Sequence, residues 1–314
     1  LATKMADSPD LVIGFLEELA AHSVSRAREE WRDLEAYARA EDGLQALESW
    51  DVSYYSEKLR QQRYDVSQED IRPYLPVSQV LPGLFEVVRR LYGLDVVAVE
   101  DFDTYHGDVR LYDLQQDGNT IARFYLDLYA RARKRGGAWM DDCRVRRNTG
   151  AGLQIPVAYL VCNVTPPVGD EPSLLTHTEL TTLFHEVGHG LHHMLTRQTV
   201  AAVSGINGVA WDAVELPSQF LENWCWEREA LSFISGHFET GEALPDALLD
   251  KLLAAMNFHS AMAMVRQLEF SLFDFRLHRD GRDDGSVPVQ NLLDEVREQV
   301  AVNRPPSFNR FQNA

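Results

Sequence analysis

The chain of 314 residues carries 30 Lys and Arg against 48 Asp and Glu, a formal net charge of −18 at pH 7, with 45% hydrophobic and 10% aromatic residues. That length buries a sizeable core as one large domain or two ordinary ones, and the composition excludes a disordered, collagenous or low-complexity chain. The acidity makes phosphate-backbone binding a poor fit, no apolar stretch reaches the roughly 18 residues of a membrane span, and Cys143, Cys162 and Cys225 are too few and too far apart for a disulfide framework. A cytoplasmic, reducing compartment is therefore expected, with neither nucleic acid nor membrane as partner; oligomeric state is left open.

Ser8-Pro9-Asp10 starts a predicted helix over 8–40, with Leu11, Phe15, Leu16 and Leu19 at helical spacing. A second helix is expected over 43–63. After Pro73, Pro76 and Pro82 comes a short one over 82–92, stopped by Gly93. The texture then changes to short alternating runs, 94–99, 109–112 and 122–128, with Asp117-Gly118-Asn119 as a turn, and to a strong strand over 156–164. These predict a small antiparallel sheet. Helices return over 176–197, about 212–236, 245–278 and 288–301. The fold class is mainly α, with a helical region 1–93, a small β-sheet region 94–175 and a helical region 176–314. Leu1-Ala-Thr-Lys-Met5 is neither a start nor a signal peptide, and Ser307 to Ala314 stop without a helix cap, so the chain reads as an excised interval of something longer.

The chemistry is concentrated in Leu183-Phe-His-Glu-Val-Gly-His-Gly-Leu-His-His193. His185 and His189 stand at i and i+4, one turn apart on one helix face, where two imidazoles can reach one Zn²⁺ at about 2.0–2.1 Å. Glu186, beside the first His, is placed to take a proton from metal-activated water. A catalytic zinc needs a third protein ligand. The pattern with Gly and His at the third and sixth positions after His189 fails, because His192 and Leu195 stand there. A carboxylate on a following helix is the other common solution, and Glu215 is assigned as that ligand in Trp211-Asp-Ala-Val-Glu-Leu-Pro-Ser-Gln-Phe-Leu-Glu222. Asp212 and Glu222 are either outer-shell partners of a ligand imidazole or ordinary surface carboxylates. Between the ligand segments, Ser204-Gly-Ile-Asn-Gly-Val209 is either a mobile substrate-covering loop, with Gly205 and Gly208 touching substrate, or a flexible connection.

His185-Glu-x-Gly-His189 followed by Glu215-Leu-Pro-Ser-Gln-Phe-Leu-Glu-Asn-Trp224 resembles the thimet-oligopeptidase (M3) family of zinc metallopeptidases, and most resembles a bacterial branch of it. Tyr105-His-Gly-Asp-Val-Arg-Leu-Tyr112, Phe124-Tyr-Leu-Asp-Leu-Tyr129 and Arg266-Gln-Leu-Glu-Phe-Ser-Leu-Phe-Asp-Phe-Arg-Leu-His278 extend the likeness over essentially the whole chain. Val187 stands where the family usually has Phe. The resemblance implies a zincin-like catalytic lobe and one zinc per chain held by His185, His189 and Glu215. It implies Glu186 as general base and hydrolysis of internal bonds in oligopeptides. It also implies a Gly- and Tyr-rich segment downstream that carries a His and several tyrosines, and a helical lobe upstream, so the chain reads as a catalytic-lobe fragment truncated at both ends. Two alternatives stay open: a dipeptidyl carboxypeptidase of the same family, and a zinc- and peptide-binding fragment without activity.

Other features carry weaker readings. Arg131, Arg133, Lys134, Arg135, Arg144, Arg146 and Arg147 form a basic cluster, read as a solvated loop beside acidic neighbours or as a seat for a carboxylate. The strand over 157–164 could offer an edge to an extended peptide, or be buried in its sheet. His259, His278, Trp224, Trp226 and Cys162 are read as packing or interface residues. The acidic balance points to basic peptides, although net charge does not place that charge in a cleft.

Overall fold

The computed structural model describes residues 6–280 and 288–304. The irregular ends noted above, 1–5 and 307–314, lie outside the described residues. The chain forms two compact units, one from residues 1–67 and 254–314, the other from Gln68–Leu253. The fold is mainly α. No described helix is long and apolar enough to cross a membrane.

In the first unit, α1 (Pro9–Asp42) starts where the Ser8 hydroxyl accepts the Leu11 N–H and ends at Gly43, whose φ is 71°. Its buried positions include Ile13, Ala20, Ala27 and Leu34, a seven-residue repeat with two small members that admits a close neighbour. That neighbour is α9 (Ser260–Asp280), which runs antiparallel: Asp10 pairs with Arg279, Glu17 with Arg276, and the buried Glu30 accepts the Met262 N–H. Leu268, Leu272 and Phe273 of α9 join Leu292, Leu293 and Val296 of α10 (Val289–Val300) in one core. The helix expected over 43–63 is α2 (Val52–Tyr64) alone, because Gly43 has already turned the chain out of α1. The helix expected over 245–278 is two, α8 (Asp246–Ala255) and α9, divided at His259, whose φ of 57° no α-helix tolerates.

The second unit is built on a five-stranded sheet. After α3 (Gln68–Ile71) and α4 (Val77–Tyr92) come β1 (Asp95–Val99), β2 (Arg110–Gln116), β3 (Asn119–Tyr129), β4 (Trp139–Arg144), a small hairpin of β5 (Arg147–Thr149) and β6 (Gly152–Gln154), and β7 (Val157–Val164). The order across the sheet is β1-β2-β3-β7-β4. Asp117 and Gly118, with φ of 50° and 75°, make the two-residue turn joining β2 to β3.

The expectation of an antiparallel sheet is corrected here. β3 and β7 run parallel, pairing Phe124 with Ala158 and Leu126 with Leu160, so the sheet is mixed. The reason lies in burial. Val157, Ala158, Leu160, Val161, Cys162 and Val164 are all buried, and a strand covered on both faces belongs in the middle of a sheet. β7 therefore has no free edge. β4, pairing antiparallel with β7, is the edge strand on that side.

α5 (His177–Met194) packs on β7 and β4. The helix expected over 212–236 is broken: α6 (Leu216–Glu222), a 3₁₀ turn Asn223–Cys225, and α7 (Arg228–Ile234).

Candidate metal centre

The motif helix has a strong start. The Thr176 hydroxyl accepts the Glu179 N–H at 3.1 Å, and the Glu179 carboxylate accepts the Thr176 N–H at 2.8 Å. Such a reciprocal cap contributes about 1 kcal/mol and sets the helix phase. Leu180, Leu183, Phe184, Val187 and Leu191 then bury one face, and His185 and His189 emerge together on another.

The Nε2 atoms of His185 and His189 lie 3.2 Å apart, and Glu215 Oε2 lies 3.2 Å from the first and 3.1 Å from the second. Glu215 arrives from the residue preceding α6. It can do so because α5 carries Gly188 at the crossing: a Cβ there would stand 2.6 Å from both the Pro217 carbonyl oxygen and Ser218 Cα. Ser218 Oγ lies 2.9 Å from Glu215 Oε2 and holds that carboxylate. His185 Nδ1 lies 2.6 Å from Glu222 Oε1. With Nδ1–H donating to that carboxylate, the Nε2 lone pair faces the cluster.

Three donor atoms facing one another at 3.1–3.2 Å need a cation or shared protons between them. Two imidazoles and a carboxylate at this spacing match three corners of a tetrahedron of donors about 2.0–2.1 Å from a zinc ion, with the fourth corner open. The donor set fits zinc.

Glu186 is buried, and its Oε2 has no hydrogen-bond partner among the described residues. Burial pushes its carboxyl up to about 7; His185 opposes the shift and Glu215 adds to it. A carboxylate poised there can take and return a proton near neutral pH. Burial likewise lowers the His189 pKa against the pull of Glu215, which keeps the imidazole neutral and able to ligate. Thr178, Thr181, Thr182 and Ala138 wall a cleft of about 400 Å³ that holds His185, Glu186 and Glu222.

The structure thus brings His185, Glu186, His189, Glu215 and Glu222 together. It does not bring Asp212 to them: that side chain is exposed, without a hydrogen bond or ion pair among the described residues. Gly205 and Gly208 border a different cleft, of about 510 Å³, with Tyr92, His192 and Pro217. Their loop is pinned. Ser204 Oγ donates to the Gln198 carbonyl, the Ile206 N–H points to His193 Nδ1, and Asn207 Nδ2 donates to Asp142 Oδ2 of β4 at 2.8 Å. The three threonines lining the metal cleft were not singled out in the sequence. Their spacing of three, four and seven residues upstream of His185 was the available signal. β4 was missed as a strand, since Asp141 and Asp142 interrupt its apolar alternation.

The basic cluster divides. Arg131 and Lys134 both bind the buried Asp127 carboxylate, at 2.6 Å and 2.9 Å, and Tyr105 donates to it at 3.0 Å. Burial opposes ionisation of Asp127, but these three donors outweigh it and hold the carboxyl at about 2. Of the discounted residues, Trp226 packs at a tilt against the His177 ring, with centroids 4.3 Å apart, and Cys162 is buried, while His278 is exposed.

A His-Glu-x-x-His helix joined by a carboxylate from the next helix defines the zinc-peptidase class of site. The chain belongs to peptidase family M3, whose family model matches residues 1–309. It is similar to oligopeptidase A of Escherichia coli (strain K12), at 55% identity over all of this chain and 46% of that protein. Organellar oligopeptidase A, chloroplastic/mitochondrial, of Arabidopsis thaliana is 41% identical over 99% of this chain and 40% of that protein. Dipeptidyl carboxypeptidase of Escherichia coli (strain K12) is 33% identical over 96% of this chain and 44% of that protein. The chain spans less than half the length of these curated relatives.

Proposed function

We propose that the protein carries the metal-binding and proton-transfer machinery of a zinc metalloendopeptidase that hydrolyses internal bonds of oligopeptides. The observation that carries this is the convergence of His185 Nε2, His189 Nε2 and Glu215 Oε2 at 3.1–3.2 Å. Zinc bound there supplies Lewis-acid polarisation of a carbonyl and lowers the pKa of water. His185, His189 and Glu215 hold it, and Glu222 fixes the His185 tautomer. Glu186 accepts the proton of the attacking water and hands it to the leaving amine. β4 offers unpaired backbone groups to an extended peptide, which adds as a further strand beside the cleft.

The 55% identity to an oligopeptidase A, against 33% to a dipeptidyl carboxypeptidase, favours internal cleavage over release of C-terminal dipeptides. Three free cysteines support a reducing compartment, the cytoplasm. The test measures bound zinc and cleavage of an internally quenched peptide by this chain, by Glu186→Gln, and by a protein of the full length of its relatives. Zinc at one per chain, with cleavage abolished by Glu186→Gln, is expected. Cleavage by the longer protein alone would make this chain a zinc- and peptide-binding part. A longer protein that binds zinc and cleaves nothing overturns the reading, and mass mapping of the cuts separates internal from dipeptide cleavage.

A further inference from the structure

The second unit contains two kinds of arginine. Arg72, Arg89, Arg90, Arg131 and Arg228 each pair with a carboxylate. Arg133, Arg135, Arg144, Arg146 and Arg147 make no ion pair among the described residues. In a chain with 48 acidic residues against 30 basic ones, five unneutralised guanidiniums within fifteen positions are not the expected outcome for a solvated face.

Their place in the fold gives them a common object. Arg133 and Arg135 precede β4, Arg144 ends it, and Arg146 and Arg147 follow it. β4 is the free edge of the sheet, and it lies along the motif helix. Ala138, just before the strand, walls the cleft with Glu186, while at the other end the Arg144 carbonyl accepts from His193 Nε2 at 2.9 Å. Neither of the strand's own acids pairs with an arginine: Asp142 accepts from Asn207, and the exposed Asp141 accepts the Asp142 N–H. Nothing on β4 neutralises the arginines at its ends.

We propose that these arginines select acidic peptides: a substrate laid along β4 carries Glu or Asp side chains, or its terminal carboxylate, onto the guanidiniums beyond the strand's two ends. This rests on the proposed peptidase reading and adds the substrate class. The preference runs opposite to the one net charge suggests, because the acidity is distributed over the chain and the strand's surroundings are basic. Arginine suits the task, since its planar fork meets a carboxylate through two parallel hydrogen bonds.

The test uses the zinc-loaded Glu186→Gln chain and three fluorescent peptides of one Gly/Ala framework bearing acidic, neutral or basic side chains at the same outer positions. Fluorescence anisotropy should show the acidic peptide binding about tenfold tighter than the neutral one at low salt, the product of two or three exposed ion pairs. The basic peptide should bind weakest. The differences should collapse at about 0.5 M salt, where screening is nearly complete. Arg144→Glu with Arg147→Glu, both exposed, should reverse the order. Arg89→Glu, on the helix that packs by β1 at the opposite edge, should leave it unchanged. Equal binding of the three peptides, or an order indifferent to the Arg144 and Arg147 substitutions, overturns the inference while leaving the peptidase reading intact. Binding of none of them overturns the inference as well, and the peptidase reading then stands or falls on cleavage by the longer protein.

Discussion

Gly188 and Ser218 touch backbone to backbone: a methyl group at position 188 would stand 2.6 Å from Ser218 Cα. Both contacts are backbone atoms, so a side chain at 188 has to push α6 away from α5, and Glu215 with it. Gly188→Ala is expected to weaken zinc binding by about tenfold or more and to destabilise the protein by about 1–3 kcal/mol. Zinc titration and thermal melting of the same sample check both.

Glu222 acts on the metal centre through His185. Its carboxylate, 2.6 Å from Nδ1, selects the tautomer whose other nitrogen is a ligand. Glu222→Ala should lower zinc affinity by about 10–100-fold while the fold persists. A competition titration against a chelator measures it, with far-ultraviolet circular dichroism as the control. Asp212→Ala, by contrast, should leave zinc affinity where it was.

Asp127 anchors the end of β3 to the segment leading into β4. Lys134 is buried against it, and the same ammonium reaches the carbonyls of Tyr129 and Cys162. Asp127→Asn leaves that cation without its counter-charge, and such a loss costs about 3–5 kcal/mol. The carboxyl is held at about 2, below its ordinary 3.8. Its contribution is therefore full above about pH 4 and lost as pH falls toward 2. Denaturant melts across that range should show a slope that Asp127→Asn removes.

His259 predicts a second acid-sensitive step, in the other unit. Burial pushes the imidazole down to about 4, Arg63 adds to the effect and Asp33 opposes it. The unfolded chain, with an ordinary histidine near 6.5, takes the proton first. Stability is full above that value and falls as pH drops toward 4, by about 1–3 kcal/mol in all. His259→Asn keeps a residue that accepts the positive φ and should flatten this window, read from the same melts.

Legibility in the sequence followed locality. The motif helix was visible because Thr176, Glu179, the apolar stripe and the two histidines all lie within 16 residues and agree in phase. Glu215 and Glu222 were visible because a Glu-x-x-Ser-Gln-x-x-Glu spacing repeats with the helix. The β2–β3 hairpin announced itself through Asp117-Gly118. What failed was either non-local or unmarked. The parallel pairing of β3 with β7 depends on a crossover of some 27 residues between Tyr129 and Val157, and no local pattern specifies it. β4 has two adjacent aspartates in a six-residue strand. The break before α9 falls on a histidine, where neither Gly nor Pro announces it.

Position 205 has a history written into position 193. The His193 ring is fully buried, and a Cβ on Gly205, whose φ is 67°, would lie 2.2 Å from Nδ1. Gly205 therefore cannot gain a side chain while the imidazole at 193 stays. A larger residue at 205 is admissible only in a chain that has first given up the imidazole at 193, and with it the bond to Arg144. The two positions are therefore ordered among descendants of this sequence: 193 can change while Gly205 stays, and 205 can change only after it.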